Sequence, residues 1–146
     1  MRMGIPIQFS ISGLVVAWLL IFHAPLMAGG NPESEKITGV KWTWQKTQYN
    51  NDQTSIPADP SRYTITFKTD GTINIQADCN RGGGTYSKKG KQITIKVTHT
   101  TRAMCPPDSL DQTFLKDLNT VAIYLFNDGY LYLDLKFDTG TMRFRR

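Results

Sequence analysis

Asp78-Cys79-Asn80-Arg81-Gly82-Gly83-Gly84-Thr85-Tyr86 is the stretch on which the fold turns. It opens on a cysteine, passes through three consecutive glycines, and regains strand composition at Tyr86. It reads as a polar loop whose glycines let backbone pass close to another segment. The second cysteine, Cys105, stands beside Pro106-Pro107, just ahead of the one segment with helical periodicity. An exported chain with two cysteines is expected to pair them, which would staple the glycine stretch to the start of that helix. The closed loop of about 27 residues is worth roughly 3.5 kcal/mol in the chain-entropy reading. The competing reading is a reactive thiol or a metal pair assisted by His99. Its spacing matches no ordinary zinc pattern, and a fourth ligand is not apparent.

Outward from that stretch the chain alternates with period two. Val40, Trp42 and Trp44 face one way across Gly39 to Thr47, and Tyr63, Ile65 and Phe67 do so across Arg62 to Lys68. Asp70-Gly71 is a hairpin signal leading to Ile73, Ile75 and Ala77. After a short strand from Thr85 to Lys88, Lys89-Gly90 turns into Ile93, Ile95 and Val97. The period then changes. Ser109 and Gln112 spell a capping box, and Leu110, Phe114 and Leu118 give a helical apolar face ending near Asn119. Strand composition returns over Val121 to Phe126. Asp128-Gly129 is a second hairpin signal, Tyr130 to Leu135 alternates around Leu131, Leu133 and Leu135, and Thr141 to Arg145 closes the chain. The expectation is a mainly β fold: a small antiparallel, lipocalin-like barrel of about eight strands, with one helix packed at an end. Trp42, Trp44, Tyr63 and Phe67 are expected in its core.

Ahead of this domain, Arg2 precedes a nearly all-apolar run from Ile11 to Phe22, with small residues at Ala28-Gly29-Gly30. That is a secretory signal pattern, with cleavage expected near Ala28, a flexible lead over 29–36 and a single domain over 37–146. The residue directly after Ala28 is Gly29 and not cysteine, so a lipid anchor is not expected. The expected location is periplasmic or secreted, with the signal segment engaging only the export membrane. The net charge of +5 includes clusters at Lys88-Lys89-Gly90-Lys91 and Arg143-Phe144-Arg145-Arg146. These read first as a solvated face and a terminal tail; the alternative is a surface for anionic envelope polysaccharide or phospholipid, and in an exported protein nucleic acid is not expected.

Little in the sequence speaks for catalysis. His23 leaves with the signal segment, so His99 alone would have to serve as base, and no nucleophile elbow is present. The glycine run fails as a phosphate loop, because Lys91 is followed by Gln92 and the run lies between strands. No enzyme activity, cofactor or metal is expected. Tyr130 and Tyr132, opposite the apolar face of their strand, are the expected contact patch.

The spacing of the Cys-Asn-x-x-x-Gly-x-Tyr core, Thr100-Thr101-Arg102-Ala103-Met104-Cys105, and Asp128-Gly129-Tyr130-Leu131-Tyr132-Leu133 resembles the META domain, or HslJ-like, family. The resemblance covers residues 37–146. It implies a small envelope β-barrel without established enzymatic activity, linked to heat shock or stress, to novobiocin resistance and, in some parasites, to secretion. It brings no catalytic residue. Cys79, Asn80, Gly84, Tyr86, Thr101 and Cys105 match motif positions and Arg81 and Gly82 lie among them, which implies that these residues build the loop. The expected protein is a monomer that binds an envelope protein or small ligand.

Overall fold

The computed structural model describes residue 4 and residues 36–146; the signal segment and most of the flexible lead lie outside the described residues. In chain order the elements are β1 (Lys41–Tyr49), β2 (Thr54–Ser55), β3 (Tyr63–Phe67), β4 (Thr72–Ala77), β5 (Asn80–Lys89), β6 (Gln92–Thr100), α1 (Asp111–Thr120), β7 (Val121–Asn127), β8 (Tyr130–Leu135) and β9 (Gly140–Arg145). Neighbours pair antiparallel in the order β1-β3-β4-β5-β6-β7-β8-β9, and β9 returns to β1, closing an eight-stranded barrel. The two-residue β2 adds only to the edge of β1. Closure removes the unpaired edges that an open sheet would expose.

Alternation along the strands fills the interior. Trp42, Trp44, Ile65, Phe67, Ile73, Ile93, Ile95, Leu131, Leu133 and Phe144 are all buried, and Phe114 and Leu118 of α1 complete the core. The ring of Phe114 lies 5.1 Å from Trp44, 5.7 Å from Tyr63 and 6.2 Å from Phe144, so the helix plugs the barrel with an aromatic cluster. A barrel of this size is packed by side chains, leaving the rim and outer face for binding.

The seam between β6 and β7 is the thinnest, with one registered pair, Gln92 opposite Ile123. The crossover through α1 covers it: Asn119 at the helix end accepts a hydrogen bond from the Val97 amide at 2.9 Å. The Asp128-Gly129 hairpin forms as expected, both residues having positive φ (50° and 77°).

Two local expectations need correcting. The glycine run is not a loop. Gly82, Gly83 and Gly84 lie inside β5, paired with β4 on one side and β6 on the other, with a bulge at Gly83/Gly84. A Cβ at Gly84 would run into the Lys96 carbonyl oxygen, and one at Gly83 would lie 2.9 Å from His99 Cε1 and from the Ile73 carbonyl oxygen. Close backbone approach was the right reason for the glycines, but it operates within a tightly curled sheet. The capping box also fails to form. The helix starts at Asp111 after Leu110, whose amide is drawn away to the Tyr63 hydroxyl at 2.9 Å. Ser109 Oγ accepts from the Asp111 amide at 3.2 Å, and Gln112 Nε2 donates to Asp111 Oδ2 at 3.0 Å.

Candidate functional site

The motif residues converge on Asn80, which is 2% exposed. Its Oδ1 accepts from the Ala103 amide at 2.8 Å and from Thr101 Oγ1 at 2.9 Å. Its Nδ2 is directed at the Ala103 carbonyl (3.2 Å), Asp111 Oδ2 (3.1 Å) and Cys105 Sγ (3.3 Å). Thr101 Oγ1 in turn accepts from the Arg81 amide at 3.0 Å. Cys79 and Cys105 are joined by a disulfide, with Cα atoms 5.5 Å apart. One amide side chain and one covalent bond thus fasten the segment after β6 to the start of β5 and to the first turn of α1. Both sulfurs are in the bond, so neither is a thiolate ligand for a metal. Arg81 lies in solvent, with Nη1 donating to Gln76 Oε1 at 3.3 Å. Tyr86 donates from its hydroxyl to the Lys68 carbonyl at 2.7 Å and sets its ring edge-on to Phe67. The side-chain amide of Asn80 and the hydroxyl of Thr101 are engaged within the chain, and the geometry of the node is that of a scaffold.

The Tyr130 and Tyr132 rings lie on the outer face of β8, partly buried, with centroids 6.3 Å apart. The Arg143 guanidinium sits 4.9 Å from the Tyr130 centroid. His99 is exposed, its Nδ1 3.1 Å from Thr98 Oγ1.

The clearest recess lies at the barrel rim beside the last turns of α1. An open cleft of about 690 Å³ is lined by residues that include Tyr49, Asn51, Gln53, Thr113, Lys116 and Asp117. A mostly apolar groove of about 340 Å³ shares Tyr49, Lys116 and Asp117 and adds Leu135 and Phe137. At their common wall the Tyr49 hydroxyl donates to Asp117 Oδ2 at 2.7 Å. Asp117 is only 4% exposed, and burial raises its carboxyl above the usual range against the opposing bonds from Tyr49 and Thr47. Burial also pushes the Tyr49 phenol up to about 12, Ser55 opposing and Asp117 adding to the rise. On the groove side Phe137 is 94% exposed with φ 59° and ψ 27°, and Asp138 follows with φ 53°. Two successive left-handed residues other than glycine are costly, and such strain gathers at ligand sites. Asn50 holds this turn, its Nδ2 donating to the Asp138 carbonyl and its amide to the Thr139 carbonyl.

None of these rim residues stood out in the sequence. Tyr49 is followed by the turn composition Asn50-Asn51-Asp52, which masks it, and Phe137 carries no pattern. Asp117 did leave a signal: it lies three residues from Phe114 and next to Leu118, an acid on the apolar face of a helix.

No curated protein matches the chain at a significant level. Among solved structures it is similar to a protein from Burkholderia xenovorans, with 17% identity and TM-score 0.62 over 75% of this chain and 83% of that one. It is also similar to a DUF4847 family protein from Bacteroides vulgatus, with 18% identity and TM-score 0.55 over 80% and 96% of the two chains. At such identities the likeness is one of fold. The META domain family model matches residues 35–146, which include the whole barrel, the Asn80 node and the helix between β6 and β7. The chain belongs to the META domain family.

Proposed function

We propose that this META domain is an exported, non-enzymatic binding protein that takes a small ligand at the barrel rim. The observation that carries the reading is the open cleft around the Tyr49–Asp117 pair, set outside a barrel whose interior is filled by aromatic and aliphatic side chains. Supporting a non-enzymatic role, the two cysteines are bonded to each other, so neither offers a free thiolate. A disulfide in the scaffold is compatible with an extracytoplasmic location. A stress or antibiotic-resistance role, as the family resemblance implies, is compatible with recognition of a small ligand alone.

The test is a thermal-shift panel of uncharged mono- and disaccharides, amphiphiles and novobiocin on the full chain and on Thr113→Trp, which fills the cleft. A ligand of the rim raises the melting temperature of the native chain and leaves that of the filled variant unchanged. A panel without any shift, or shifts retained by Thr113→Trp, overturns the reading.

A further inference from the structure

A second surface sits at the opposite end of β9 from the cleft. The cleft residue Tyr49 pairs with Gly140, whereas Arg145 pairs with Thr43 and with Tyr130. The register across four strands sets two rows of outward side chains side by side. One row runs Leu125, Tyr132, Arg143, Lys46; the next runs Asn127, Tyr130, Arg145, Thr43. Lys46 joins its row through a bulge. Trp44 and Thr47 are both buried and the register slips between Trp44 and Lys46, so Gln45 and Lys46 together oppose Arg143 on the outside.

We propose that this face of β7, β8, β9 and β1 binds an acidic polysaccharide. The three cations are not compensated. Among the described residues no carboxylate lies within ion-pair distance of Arg143, Arg145 or Lys46, the ion pair being that of Arg62 with Asp78. The acid of the adjoining row, Asp134, accepts from Thr141 Oγ1 at 2.7 Å. Arg143 lies against the Tyr130 ring with its Nε buried and without a hydrogen-bond partner, and among the described residues its terminal nitrogens make no hydrogen bond or ion pair, so they keep their donors for an incoming carboxylate. Tyr130 and Tyr132, half-buried and therefore pre-oriented, offer ring surface of the kind on which the C–H face of a sugar packs, at little entropic cost. A linear chain carrying both sugar faces and carboxylates matches the alternation of ring and cation along and across the strands. A lipid surface fits less well. It calls for apolar side chains that stand clear of the sheet, and of the large apolar residues that are exposed only Ile123, at 41%, belongs to this face.

The experiment measures affinity of the full chain at physiological ionic strength for alginate, for neutral dextran, for vesicles containing phosphatidylglycerol and for a short single-stranded oligonucleotide. Alginate is expected to bind, more weakly as salt rises, and dextran to fail. Arg143→Gln with Arg145→Gln is expected to weaken alginate binding about tenfold, the loss of charge-assisted contacts. Arg145→Gln alone, at an exposed position, gives a smaller loss in the same direction without touching packing. Tyr132→Ala is expected to weaken binding without changing the salt dependence. Replacing Lys88, Lys89 and Lys91 by Gln, on the other basic cluster, leaves binding unchanged. The proposal is overturned if alginate binds no better than dextran, if vesicles or the oligonucleotide bind as tightly as alginate, or if the lysine variant and not the arginine variant loses affinity. None of these readings depends on the rim cleft, whose filled variant Thr113→Trp is expected to bind alginate like the native chain.

Discussion

The two ends of α1 each bury an aspartate, and the two are used in opposite ways. Asp111, in the first turn, is surrounded by donors: Asn80 Nδ2, Gln112 Nε2 and Ser109 Oγ all reach its carboxylate. It also sits where the helix N-terminus favours negative charge. Asp117, toward the other end, bonds Tyr49, faces an open cleft, and lies where the helix field disfavours a carboxylate. The first acid is spent on holding the chain together. The second is buried at some cost, and a costly buried group beside a recess is where a binding function is best sought.

If that contrast is right, variants at the node cost stability, while variants at the rim change titration and binding. The largest effect is expected from Asn80→Ala, about 4 kcal/mol in denaturant unfolding. It leaves the Ala103 amide and the Thr101 hydroxyl without their acceptor and takes one of three donors from the Asp111 carboxylate, at a buried position that water does not easily reach. A loss below about 1 kcal/mol would mean that the node is not the fastener described. Next comes the Cys79→Ser, Cys105→Ser pair, expected to lower stability by about 3.5 kcal/mol through the longer reach of the unfolded chain. Its folded state should retain the rim cleft, as ligand-induced thermal shifts would report.

At the rim the effects are smaller and depend on pH. Tyr49→Phe removes the donor to Asp117 and is expected to cost about 1 to 2 kcal/mol at neutral pH. The native phenol holds its proton up to about 12 against an ordinary 10.0, so the unfolded chain ionises first. Native stability is therefore lost as pH rises across that window, and the variant should show less of this loss in alkaline unfolding curves followed by circular dichroism. Asp117→Asn is expected to be the mildest. Because the native carboxyl is raised above 3.8, the folded state keeps a proton that the unfolded state gives up, and stability falls as pH climbs from that value through the raised one. The amide cannot ionise, so this fall should disappear and the variant should be at least as stable as the native chain at neutral pH. A variant with an unchanged acid-side profile would show that Asp117 carries no burial penalty, and the contrast between the two acids would fail.

The barrel was largely legible because its strands alternate strictly. Trp42, Trp44, Ile65 and Phe67 announce an inner face with no knowledge of their partners, and Asp128-Gly129 names its own turn. Around the glycine run, composition misled. Three glycines and a flanking Asn-Arg look like a loop, and only the approach of the Lys96 and His99 backbones makes them a strand. The capping box was equally local. It lost to other partners: the Ser109 amide bonds the Pro106 carbonyl, and Ser109 Oγ takes the Asp111 amide. The rim escaped notice because Tyr49, Asp117 and Phe137 come from three separate segments and share no spacing.

Periodicity, turn chemistry and the spacing of the Cys79 and Cys105 motifs were enough to specify a closed β framework with one helix, since each is a short-range property of the chain. Where Asn80 spends its hydrogen bonds, why Asp117 is held against a phenol, and which cations stand beside Tyr130 and Tyr132 are settled by strand register and barrel closure. Those features bring together residues as far apart in sequence as Tyr49 and Asp117, and charge and burial depend on neighbours in space.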